Sequence, residues 1–175
     1  MLEGAAVIRR LAMRPPSSLP LSLLAALPLM ATAAPDGSCP APRSYCSAGP
    51  NSVHPTGSFL SHQGSSSVEA NDLILVAVHL PLDQPGLFFC GPHRVQLPFG
   101  DGFRCVGAPA WRLDPVDTGA AGIVAYELDV AAARGSLGGF TPGSTWRFQL
   151  WYADPPGPGG SGFNLSDGLE VRFCP

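Results

Sequence analysis

Polar and apolar residues trade places at every second position of "STWRFQLWYA", residues 144 to 153. A period of two sends Trp146, Phe148, Leu150 and Tyr152 to one face of a strand, and Arg147, Gln149 and Trp151 to the other. The first set is assigned to the core. "GLEVRF" (168 to 173) repeats the pattern: Leu169, Val171 and Phe173 point inward, Glu170 and Arg172 outward. "DLILVAVHL" (72 to 80) is apolar on both faces, as a central strand covered on both sides would be, and Pro81 closes it. Shorter runs complete the series: "GLFFC" (86 to 90), "HRVQLPF" (93 to 99), "FRCVG" (103 to 107), "AWRL" (110 to 113) and "GIVAYELDV" (122 to 130). Pro98 breaks the second of these, which predicts an edge strand or a bulge.

The pattern therefore predicts about eight short strands separated by turn signals, with no helical periodicity. Only "DVAAARGSL" (129 to 137) suggests a helix, and Gly135, Gly138 and Gly139 limit it to a turn or two. The fold class is all-β, an antiparallel β-sandwich, with a closed β-barrel as the alternative.

The chain start reads differently. Arg9, Arg10 and Arg14 precede an apolar stretch, Leu19 to Met30, too short to span a bilayer, and small residues "ATAA" follow at 31 to 34. Residues 1 to 34 are expected to be a cleaved signal peptide, with Met1 or Met13 as the start. Residues 35 to 57, rich in Pro, Ser and Gly, are expected to be a flexible arm, and 58 to 175 the sandwich domain.

Composition narrows the function. The chain has no lysine, and beyond residue 34 seven Arg stand against twelve acids, a net charge of about −5. Such a surface has no footprint for nucleic acid or anionic lipid. Schiff-base chemistry and a phosphate-binding P-loop both need a lysine. In an exported chain the five cysteines (39, 46, 90, 105, 174) point to disulfides. Terminal segments of compact domains tend to lie close together, so Cys46 is expected to pair with Cys174. Cys90 and Cys105 would then staple neighbouring strands, leaving Cys39 to join a second molecule. No CxxC, HxxxH or HxH spacing marks a metal site, and no cofactor is expected.

Three stretches carry candidate chemistry. Asn164, Ser166 and Asp167 in "GFNLSDG" (162 to 168) offer oxygens to a hard cation such as Ca²⁺, although a calcium loop normally brings several carboxylates. The competing reading is turn chemistry, with side chains bonded to nearby amides and Phe163 and Leu165 plugging the sandwich end. Trp151 and Tyr152, before the "DPPGPGG" loop, form a platform for a sugar ring with Arg147 beside them, unless the loop covers Trp151. Asp101, between glycines in "FGDGF", fits a hairpin turn. The acids Asp114, Asp117, Glu127 and Asp129 show no catalytic pairing, and "GGSGF" at Ser161 is no nucleophile elbow.

"YCSAGPNS", "PGLFFCGPHRVQLPFGDGFRCVG" and "GSTWRFQLWYADPPGPGGSGFNLSDGLEVRF" resemble a secreted domain of planctomycetes and myxobacteria, over about residues 45 to 174. Its segments look like "GLFFYG…PFGDG…CV" and "FQ(L/F)WYRDP…FNLSDG", often at the C-terminal end of a larger extracellular protein. The resemblance implies a secreted all-β module and brings no activity with it. Two positions depart from it: Cys90 stands where the pattern is aromatic, and Ala153 where it is often Arg. The expected role is a secreted, non-catalytic module that binds or spaces at the cell envelope, with a cell-surface protein or polysaccharide as partner. A carbohydrate-binding domain using Trp151, Tyr152 and Arg147 is the alternative, and an extracellular hydrolase the third.

Overall fold

The alternating run at 144 to 153 forms the longest strand, and the largest sheet is assembled around it. The computed structural model describes residues 39–132 and 139–175. The expected signal peptide lies outside these residues, as does most of the expected helical turn, of which 130–132 are helical. The described strands are β1 (Arg43–Tyr45), β2 (Phe59–Gln63), β3 (Ile74–Val78), β4 (Pro85–Gly91), β5 (Arg94–Phe99), β6 (Gly102–Val106), β7 (Trp111–Asp117), β8 (Val124–Glu127), β9 (Thr145–Ala153), β10 (Phe163–Leu165) and β11 (Gly168–Arg172). Every named pairing between them is antiparallel.

The main sheet runs β1-β11-β9-β4-β7, with β10 also on β9, and a second sheet runs β2-β3-β8. Their facing sides make the core: Leu60, Leu75, Ala77 and Val124 from the smaller sheet, Phe88, Phe148, Leu150, Leu169 and Val171 from the larger. This is the sandwich that the alternation predicts, and among the described residues no barrel closes. Phe140 caps one end, edge-on to Trp146 at 4.9 Å and stacked on Phe173 at 4.9 Å. Phe148 is fully buried beneath that cap, and its truncation to Ala is worth about 3–5 kcal/mol by the usual cost of an aromatic cavity.

The strand with Pro98 pairs only with β6, with a register shift between Arg94 and Leu97, so it is both an edge and a bulge. β3 is central to its sheet, but only Leu75 and Ala77 are buried; Ile74, Val76 and Val78 are half-exposed. Its second face is not covered as expected. Small side chains and branched aliphatics suit a pleated surface even where one side stays wet.

The expected flexible arm is, over its described part, stitched into the domain. β1 pairs with β11, and Asn51 is buried, donating through Nδ2 to the His79 carbonyl (2.8 Å) and the Tyr152 hydroxyl (2.9 Å). Gly168 permits this docking: a Cβ there would sit 2.6 Å from the Tyr45 ring.

Register also corrects the disulfides. The β1–β11 ladder opposes Arg43 to Glu170, and four more residues along it bring Cys39, not Cys46, opposite Cys174. The bonds are Cys39–Cys174 and Cys46–Cys105, with Cα separations of 5.6 and 6.0 Å. Cys39 is thus used within the chain rather than left for a second molecule. Cys90 is free and fully buried on the core face of β4, pairing across to Phe148, whereas Cys105 lies in the hairpin on the opposite side of that sheet. The sheet itself keeps those two thiols apart. Burial in apolar surroundings pushes the Cys90 thiol up to about 12, which leaves it inert at neutral pH.

Non-reducing peptide mapping is expected to recover the 39–174 and 46–105 cystines, with Cys90 alkylated only in denaturant. Replacing Cys46 and Cys105 together by Ser lowers unfolding stability by about 2–4 kcal/mol in urea titrations, given the long loop closed. Rapid alkylation of Cys90 in the native protein contradicts this arrangement.

Candidate functional site

Only one face of each strand in the main sheet meets the smaller sheet; the other is the outer face. Cross-strand register builds that face row by row. Leu165, Trp151 and Leu87 line up across β10, β9 and β4, and Gln149, Phe89 and Arg112 across β9, β4 and β7. The β5–β6 hairpin lies over part of it. Gln149, fully buried, holds the hairpin there: Oε1 accepts the Cys105 amide (2.8 Å), and Nε2 donates to the Phe103 carbonyl (2.8 Å) and the Ser166 carbonyl (2.7 Å).

Beside the hairpin a groove of about 500 Å³ opens, lined by Leu87, Phe89, Phe99, Arg104, Ala110, Arg112, Trp151 and Leu165. Trp151 is half-exposed, its ring 5.9 Å from Phe163, which leans in turn on Phe99 at 5.3 Å. Of the expected sugar platform, Trp151 is therefore in place. Tyr152 is not: it is fully buried, its hydroxyl taken by Asn51, and desolvation pushes its pKa up to about 12. Arg147 is elsewhere too. Its guanidinium pairs with Glu170 at 2.6 Å and donates to the Pro92 carbonyl, while Arg94 reaches the same carboxylate at 2.5 Å. These hydrogen bonds and charges, Arg94's foremost, hold the Glu170 carboxyl below its ordinary value.

The tail run resolves in favour of turn chemistry. Asn164 is buried, donating to the Pro50 carbonyl (2.7 Å). The buried Ser166 hydroxyl receives the Leu150 amide (3.0 Å) and donates to the Asp167 carbonyl (2.7 Å). Asp167 is nearly buried, accepting the Leu60 amide at 2.6 Å and the Ser44 hydroxyl. Burial raises its pKa, against the lowering effect of those bonds. Between Leu165↔Trp151 and Leu169↔Phe148 the tail advances four residues while β9 advances three. The run is a kink that lets one chain end pair along β9 twice, with Leu165 buried as a plug and Phe163 half-buried.

Asp101 sits in the turn joining β5 and β6, as expected, and also clamps the Pro/Gly loop: it accepts the Gly159 amide (3.0 Å) and the Ser161 amide (2.9 Å). Bonding from Ser161, side chain before amide, lowers its pKa. Asp114 accepts the Tyr126 hydroxyl, Asp117 the Gly119 amide and Asp129 the Ala132 amide, while the buried Asp154 accepts the Ser52 amide (3.0 Å) and shares with Asp101 the Gly157 end of the Pro/Gly loop. Among the described residues no three His, Cys, Asp or Glu side chains gather to hold a metal ion, and no helix is long and apolar enough to cross a membrane.

Sequence reasoning missed Phe89, Phe99, Arg104 and Arg112. One signal was available: "GLFFC" is apolar on both faces, with Leu87 and Phe89 opposite Phe88 and Cys90. Compared with known protein families, curated proteins and solved structures, the chain finds no match.

Asp167→Ala leaves the buried Leu60 amide unpaired and is expected to cost about 2–3 kcal/mol in chemical unfolding, against under about 1 kcal/mol for the exposed Ser44→Ala. Glu170→Gln carries a pH signature. The folded state lowers the Glu170 pKa, so its ionised form stabilises the fold above the ordinary value of 4.5, and that share is lost as pH falls through the lowered value. The parent should therefore exceed the variant by about 1 kcal/mol at pH 7, a figure discounted for solvent screening. The two should converge in acid; a pH-independent gap would contradict the ion-pair assignment.

Proposed function

We propose that this chain is an exported, non-catalytic binding module of the extracytoplasmic space, and that the Trp151 groove is its binding face. One observation carries the reading. The outer face of a sandwich sheet is ordinarily polar, because it meets water. Here Leu87, Phe89 and Trp151 occupy that face and the hairpin leaves them half-exposed at a groove. Apolar area kept on a wet face marks a site of contact with something else. The two disulfides are compatible with an oxidising compartment, and the leader-like residues 1 to 34 supply the route to it.

Carbohydrate recognition is the second reading. A Trp ring beside Phe89 and Phe99 offers flat faces to the C–H surface of a sugar. The partner in either case is a cell-surface protein or polysaccharide.

The test is capture of envelope material from a bacterial outer surface by the oxidised chain spanning residues 35 to 175. Phe89→Ser and Trp151→Phe, which alter the groove but leave the core face of each strand intact, are expected to weaken capture about tenfold. Undiminished capture by both variants overturns the groove as the binding face. Release of reducing ends or peptides from the captured material by the parent overturns the non-catalytic reading.

A further inference from the structure

We propose that the groove takes an acidic polysaccharide, with uronate or sulfate groups on Arg104 and Arg112 and sugar rings against Trp151 and Phe89. The inference rests on the binding-module reading and names the ligand class of the same groove.

Charge is the first argument. The mature chain is acidic, yet the groove lining contains two arginines and no carboxylate. Arg104 spends only Nε internally, on the Val106 carbonyl at 2.8 Å. Arg112 makes no side-chain hydrogen bond or ion pair among the described residues. The contrast is with Arg94 and Arg147, which share Glu170. A guanidinium is a rigid fork matched to carboxylate or sulfate, and it stacks well beside aromatic rings. Two such forks, one from β6 and one from β7, line the same groove and complement an anionic group that enters it.

Shape and composition are the second. The volume of about 500 Å³ lies in the range of small-ligand clefts. Its aromatic and aliphatic lining offers flat surface and few fixed hydrogen-bond donors, which suits a pyranose face. An extended peptide would instead add a strand to a free sheet edge. Pro98 in β5 and Pro115 in β7 interrupt the edges flanking the groove and hinder that mode.

Charge density is the third. Double-stranded DNA carries one charge per about 1.7 Å and needs a broad cationic surface. Two arginines on a net-negative chain suit a polymer whose charges are sparser, one per sugar at most.

The experiment measures binding of the oxidised chain to polygalacturonate, to dextran sulfate and to neutral dextran, with polyglutamate and single-stranded DNA as charge controls. Calorimetry gives affinity, and quenching of Trp fluorescence reports contact, with Trp151→Phe removing that signal. Polygalacturonate or dextran sulfate should bind in preference to the other three. The affinity should fall about tenfold in Arg104→Gln and in Arg112→Gln, and fall further with added salt. Circular dichroism and melting confirm that each variant is folded; Arg112 is exposed and Arg104 half-buried. Equal binding of neutral dextran, unchanged in both arginine variants, overturns the acidic ligand and leaves the module reading intact. Equal binding of polyglutamate or DNA overturns the sugar component. Failure to bind any polysaccharide overturns the inference, and the envelope-capture result decides separately whether the module reading survives.

Discussion

The carboxamide of Gln149 is buried against two other pieces of chain and bonds to both: the β6 segment through Cys105 and Phe103, and the tail through Ser166. In a low-dielectric interior an unmet donor or acceptor costs far more than a met one returns, so such a group fixes its neighbours' positions. The same seam continues through Ser166 to Leu150, and through Asp167 to Leu60 in the other sheet. The hydrophobic core supplies the bulk of the driving force, but it is indifferent to small slides of sheet on sheet. The seam is not. It sets where the hairpin lies, and therefore whether there is a groove at all.

The disulfides act on the same parts from outside. Cys46–Cys105 ties the segment after β1 to the hairpin, and Tyr45 adds its hydroxyl to the Cys105 carbonyl at 2.9 Å. Cys39–Cys174 closes the far end of the β1–β11 ladder. One bond thus secures the wall of the groove and the other secures the chain termini. Cys90 takes no part: it occupies a core-facing site, packed as a small apolar group.

Much of the fold was legible because a period of two over five to nine residues encodes both a strand and its buried face. All eight expected strands are present, and the inward set Trp146, Phe148, Leu150 and Tyr152 is buried throughout. That success also undercuts one candidate: the parity that buries Tyr152 forbids it from serving beside Trp151 on the surface. β1, β2 and β10 were missed: β1 and β10 have three residues each and carry no period, and in β2, FLSHQ, only Leu60 is buried. The cystine pattern depended on the register of one of those strands. The groove was the hardest feature to read. Arg104, Arg112, Phe89 and Trp151 come from four strands: cross-strand register gathers the last three on the main sheet, and the docking of the hairpin brings Arg104 to them.

A chain with no lysine spends each cation as a guanidinium, and the distribution is informative. Arg94 lies over the Tyr45 ring at 4.8 Å and shares Glu170 with Arg147, so both guanidinium groups have an acid partner inside the molecule. Arg104 and Arg112 are placed where no acid answers them, beside aromatic rings that lower the local dielectric. This placement leaves Arg112 exposed and Arg104 half-buried, with only the Arg104 Nε bonded, to the Val106 carbonyl. The stability of the sandwich does not need it: the core, the Gln149 seam and the cystines all lie elsewhere. The acidic ligand proposed above would supply the negative charge that the fold itself does not place there.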